Sequence, residues 1–210
     1  MEENNNFQNE QDKFRSLMPN YNPQFNVYDY RVGIGRRIAA ALLDFIIIGV
    51  ITSSLGLAFG LFQEFINIDI SKLMDPVFME EFQGKFLPLS LVVTFVYYSM
   101  EIFFQASLGK MILGIIITDE SMRYASMSQL TTRFILKHLD SLVQVLFVFT
   151  SLTLFASLSS LIGFAIIVAF LFILRASKQS LYDQISRTAV YFKAEIDANA
   201  NNFNQNPVVK

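Results

Sequence analysis

Three stretches of this chain hold almost no charge, and they dictate its solvent. Ile38–Phe62 carries one ionisable residue, Asp44; Phe86–Phe104 carries one, Glu101; Ser141–Leu174 carries none over 34 residues. A bilayer's hydrocarbon core is ~30 Å thick and takes about 20 apolar helical residues to cross. The first stretch, at ~1.5 Å per residue, gives ~37 Å of helix, enough to cross with some tilt. Across the 210 residues only 16% are charged, against about 25% in a soluble domain. The chain therefore reads as an all-α membrane protein.

The 34-residue run is too long for one crossing, since a straight helix of that length reaches ~51 Å. Basic residues resolve the parity. Arg31, Arg36 and Arg37 precede the first span; Lys110, Arg123, Arg133 and Lys137 follow the second; Arg175, Lys178, Arg187 and Lys193 follow the long run. Lys and Arg favour the cytoplasmic side, and all three groups share a side only if the long run crosses twice. The expected spans are about 136–155 and 160–175, joined near Ala156–Ser159. A re-entrant pair that never reaches the far side is the alternative. The expected fold is a small bundle of about four transmembrane helices, multi-pass in the cell's inner membrane, with both termini cytoplasmic.

Between spans, Gln63–Lys85 reads as an acidic loop, and residues 105–138 as a polar, basic segment. Ile112–Thr118 and Thr188–Lys193 are short and rich in β-branched and aromatic residues, which is a strand pattern. Pairing of Ile115–Thr118 with Ala189–Phe192 is expected at the cytoplasmic surface, leaning on the helix ends because two strands alone are marginal in water. Residues 1–28 and 194–210 are Asn-rich and polar and read as disordered tails, leaving 29–193 as the membrane domain. The first apolar run begins too late and runs too long for a cleaved signal peptide.

Several chemistries are excluded. The chain has no Cys and one His, which removes thiolate catalysis, disulfides and a conventional zinc site. A net charge of −2 gives no basis for nucleic-acid binding. Gly33-x-Gly35 follows no strand, so it is not a dinucleotide fingerprint. No Gly-x-Ser-x-Gly marks a nucleophile. The chain reads as a non-enzyme without a cofactor.

What remains is a set of ionisable groups in costly places. A charge at membrane depth costs at least ~2.5–3.5 kcal/mol, so it is rarely left unpartnered. Asp44 follows Arg37 by seven residues, about two turns on roughly one helix face. By the topology above, Glu101, Lys110, Asp140 and Asp183 fall at the same end of the bundle. One buried network joining Arg37 and Asp44 with Asp140 or Asp183 is expected. Functionally, such a cluster binds a cation or relays protons; structurally, it locks helices together. Gly56-Leu-Ala-Phe-Gly60 is a small-residue motif that serves either packing within the chain or a homodimer face. His138 reads as an interfacial residue.

These residues also carry a resemblance. RVGIGRRIAAALLDFIII resembles the opening motif of the RDD family of membrane proteins, with Arg37 as its arginine and Asp44 as its first aspartate. QASLGKMILGIIITDE is similar to the family's middle segment through Leu108, Gly109, Lys110, Gly114 and Asp119. QSLYDQISRTAVY resembles its closing segment, with Asp183 as second aspartate and Thr188 as threonine. Arg133 and Asp140 fit the family's third-span entrance. Tyr182 stands where His is usual and Arg187 where Gly is usual. The resemblance covers about residues 30–193. It implies a bacterial inner-membrane protein, and it implies ligand transport or, as in some members, cation–proton antiport; it supplies no catalytic residue. The alternative function is a non-transporting scaffold or assembly factor, binding a partner membrane protein through residues 105–135 and the tails. Lipid, a homo-oligomer or that partner are the expected associations.

Overall fold

The computed structural model describes residues 27–63 and 75–198. Most of both tails, at 1–26 and 199–210, and loop residues 64–74 lie outside the described residues. Helix α1 spans Ile34–Ala58 and α2 Pro76–Phe104. The short α3 covers Leu108–Ile112 and leads into β1, Ile115–Asp119. Then come α4 at Met127–Lys137, α5 at Leu139–Thr150, α6 at Thr153–Leu171 with a 3-10 turn to Leu174, α7 at Leu181–Ile185, and β2 at Thr188–Phe192. Residues 193–198 are helical and bury Ile196, so order continues past 193.

Three of the described helices, α1, α2 and α6 with its 3-10 extension, are long and apolar enough to cross a membrane. Their outward surface suits lipid: Phe45 is 74% exposed and Phe149 on α5 is 82% exposed. Two boundaries differ from the sequence reading. The second helix starts at Pro76 instead of Phe86, because Asp75 caps it by accepting from Val77 N at 3.0 Å and proline occupies its first position, where a missing N–H is harmless. The long apolar run breaks at Ser151–Leu152 instead of 156–159. Ser151 takes a left-handed conformation at φ 55°, and Thr150 Oγ1 accepts from Leu152 N. The twelve residues of α5 give only ~18 Å of helix, so α5, which packs beside α6, falls short of the ~30 Å of a hydrocarbon core.

The small-residue motif also resolves locally. Gly60, at φ +74°, follows the end of α1, with Leu61 N donating to Gly56 O and Gly60 N to Leu57 O. This is a Schellman stop, which needs glycine for its left-handed residue. Gly56 lies under the Phe62 ring, where a Cβ would meet Cε2 at 2.5 Å. Both glycines serve the turn within this chain.

β1 and β2 pair antiparallel, with Ile115 opposite Phe192 and Asp119 opposite Thr188, as the two strand-like runs imply. Arg31 bridges Tyr191 on the other edge of β2, and Val32 N donates to Val190 O at 2.8 Å. Alternation sends side chains to two faces. Ile115, Ile117 and Val190 pack with Val32, Ala40, Ala125 and Leu130; Ile116, Ala189 and Tyr191 pack with Met122 and Ile196. The dry core thus sits at one end of the bundle, around the sheet.

Candidate functional site

The same end of the bundle gathers the ionisable residues. Asp183 is fully buried and divides its oxygens between two guanidiniums: Arg37 Nη1 donates to Oδ2 at 2.6 Å and Arg133 Nε to Oδ1 at 2.8 Å. The capping box of α7 fixes its direction, since Ser180 Oγ accepts from Asp183 N while Ser180 N donates back to the carboxylate. Arg37 is held further by Val32 O and Lys178 O. Arg133 Nη1 lies 3.6 Å from Glu101 Oε2. Glu101 Oε1 in turn accepts from Lys110 Nζ at 2.5 Å and Lys137 Nζ at 2.9 Å. A continuous chain of alternating charge thus runs Arg37–Asp183–Arg133–Glu101–Lys110 and Lys137, tying α1, α2, α3, α4 and α7 together.

Asp44 is held by a separate set of donors. Its Oδ1 accepts from Tyr97 Oη at 2.5 Å and Gly109 N at 2.8 Å, and its Oδ2 from Ser107 Oγ at 2.6 Å. It makes no direct contact with Arg37. The expected single network is therefore two: the ion-pair chain, and a carboxylate neutralised by dipoles where α1, α2 and α3 meet. A Cβ added at Gly109 would meet Ala40 O at 2.5 Å, so glycine is what lets α3 reach Asp44. Asp140 belongs to neither group. Its side chain accepts from Ser141 and lies beside Gly163, and its carbonyl accepts from Ser159, within the α5–α6 hairpin.

Between the two networks lies a chamber of about 80 Å³, lined in part by Arg37, Asp44, Lys110, Arg133, Lys137 and Tyr182. That volume has room for a few waters or a small ion. Of these residues, Lys137 was absent from the sequence reading of the site, and Arg133 and Tyr182 entered it only through the family resemblance. Arg133 and Lys137 are four apart on α4, as are Tyr97 and Glu101 on α2, a spacing that places each pair on one face. Tyr97 and Ser107 carry no charge, so nothing in the sequence marks them as partners of Asp44.

The surroundings set protonation. Burial favours a neutral Asp183, but Arg133 and Arg37 outweigh it and hold the carboxyl at about 2. Burial lowers the Lys110 ammonium to about 7 against the pull of Glu101. Burial and then Lys137 hold His138 at about 3; its ring lies between Tyr98 and Phe134 and stays neutral. Asp183 yields an acid dependence. Its folded value lies below the ordinary aspartate value of 3.8, so its stabilisation is complete above pH ~4 and is lost as pH falls through about 2. One unit corresponds to ~1.4 kcal/mol, which makes the contribution about 2 kcal/mol. Melting temperature in detergent should therefore fall between pH 4 and 2, and a carboxyl that titrated instead near 4 would contradict the pairing.

The fold and its end cluster define a small polytopic membrane protein of mostly helical architecture. The chain belongs to the RDD family: the family's model matches residues 31–187, which takes in α1 through α7 and the motif residues Arg37, Asp44 and Asp183. Comparisons with curated proteins and with solved structures returned no match.

Proposed function

We propose that this protein is a multi-pass protein of the bacterial inner membrane that admits a small charged solute or a proton to the chamber at its cytoplasmic end. The chamber carries the reading. Buried ionisable groups are costly at a membrane and mark ligand or proton paths more often than other intramembrane residues do, and here four basic residues and a carboxylate line one small space together with Ala41, Tyr98, Phe170 and Val190. The basic residues at that end support a cytoplasmic placement. A cysteine introduced at exposed Tyr124, in a chain with no other cysteine, should label only from inside; labelling in intact cells would reverse the orientation. Transport is tested in proteoliposomes of the purified full chain, with imposed proton, sodium and chloride gradients and a flux readout. Flux that disappears in Asp44→Asn supports the reading.

The scaffold reading has its own support. Only 11–22% of residues in the apolar stretches of the three long helices are buried within the chain. Much apolar surface is therefore free for lipid or for a partner's helices. Absence of flux, together with a stoichiometric partner whose co-purification is unaffected by Asp44→Asn, would favour it.

A further inference from the structure

We infer that the chamber is a site for a small anion, a halide or a phosphate-like oxyanion, bound between Arg133 and Lys137 and the neighbouring cations. The inference rests on the reading that the chamber receives a ligand and specifies the charge of that ligand. Four cationic side chains line the space: Arg37, Lys110, Arg133 and Lys137. The carboxylates that pair with them, Glu101 and Asp183, are not among its lining residues. The chamber wall thus carries the cationic residues and not the two carboxylates that pair with them. Asp44 is the one carboxylate among the described lining residues, and three donors already occupy its two oxygens.

A second observation is independent of this arrangement. Arg133 is 3% exposed, and its Nη1 has no hydrogen-bond partner among the described residues. Glu101 Oε2 is 3.6 Å from it, beyond a good hydrogen bond. A buried donor without an acceptor costs ~1–3 kcal/mol, and more when charged. An anion in the chamber supplies the missing acceptor. A cation there would meet four like charges and a carboxylate already engaged with its donors. A site of this size fits a free inorganic anion or the phosphate of one lipid headgroup, which share the recognition chemistry.

Thermal unfolding of the full chain in non-ionic detergent tests the assignment. Sodium chloride and sodium phosphate are titrated against sodium gluconate at equal ionic strength, and choline chloride replaces sodium chloride in a parallel series. A saturable rise with chloride or phosphate is expected, about 5–10 °C at a hundredfold excess over the dissociation constant. The rise should be unchanged with choline. Lys137 has the most exposed side chain of the four cations at 21%, so Lys137→Gln leaves Glu101 its bond to Lys110. This variant should shift the titration midpoint at least tenfold upward, and Lys137→Arg should restore it. Ala41 also lines the chamber, and Ala41→Leu, which narrows it without removing a charge, should weaken binding in the same way. A rise seen only with phosphatidylglycerol, and lost in Lys137→Gln, also supports the site and assigns its source to lipid. A rise that follows sodium instead of the anion overturns the assignment while leaving a ligand-binding chamber. No shift with any ion or lipid overturns the anion site outright, and the proteoliposome flux experiment then decides the broader reading separately.

Discussion

Replacing Asp183 by asparagine is expected to destabilise the protein more than replacing either of its arginine partners. Removing one member of a buried ion pair typically costs ~3–5 kcal/mol, because the other charge stays buried without compensation. Asp183 serves two guanidiniums at once, at 2.6 Å and 2.8 Å, so its loss strands both Arg37 and Arg133. Arg37→Ala strands a carboxylate that keeps Arg133, and its effect should sit at the lower end of that range. The sharper expectation concerns coupling. Arg37→Ala combined with Asp183→Asn should cost less than the sum of the single changes, whereas Arg37→Ala combined with Asp44→Asn should couple more weakly, since those two residues share a chamber wall but no hydrogen-bond partner. Thermal or denaturant unfolding in detergent of the singles and both doubles measures this. Additivity for Arg37 with Asp183, or strong coupling of Arg37 with Asp44, would contradict the arrangement of charges.

Gly109→Ala should be the most damaging single methyl group in the protein. The new Cβ would meet Ala40 O at 2.5 Å and Asp44 Oδ1 at 2.6 Å. The first is backbone in the middle of α1 and cannot rotate away, so α3 must move off. Overpacking costs ~1–3 kcal/mol, and displacement also stretches the bond from Gly109 N to Asp44, a charge-assisted contact worth ~1.5–3 kcal/mol. Gly49→Ala is the control. It lies within α1 with nothing within 4 Å of the added Cβ, and alanine favours a helix over glycine by ~1 kcal/mol. It should be neutral or stabilising. Equal melting temperatures for the two variants would sink the close-approach argument.

The bundle was legible in the sequence because apolar length and charge placement are local signals. The strand pair was legible for the same reason, from two β-branched runs. Helix ends were less so. Asp75-Pro76 is a start signal that ten apolar-poor residues concealed, and Ser126 with Gln129 forms a capping box inside a segment that reads simply as basic. The site was legible in its members more than in its pairings. Arg37 and Asp44 share a helix face, which suggests contact. A helical side chain leans toward the N-terminus, however, and Arg37 reaches back to Val32 O and on to Asp183, away from Asp44. The partners of Asp44 are a phenol, a hydroxyl and a backbone N–H, types that recur throughout the chain. Only the meeting of α1, α2 and α3 selects them.

The pairing of Arg37 with Asp183 also sets a timetable. The two residues are 146 positions apart in the chain, and β2, which holds the Arg31 and Val32 backbone, follows later still. At a synthesis rate of about 5–20 residues per second, Arg37 waits roughly 7–30 s for its counter-charge to be made. Through that interval α1 and α2 are already available to the membrane while the end that closes them is not. Assembly of this protein is therefore completed from its C-terminal side: a nascent chain halted before residue 183 holds its helices but leaves both guanidiniums open, and the last dozen residues of the domain convert inserted segments into one unit.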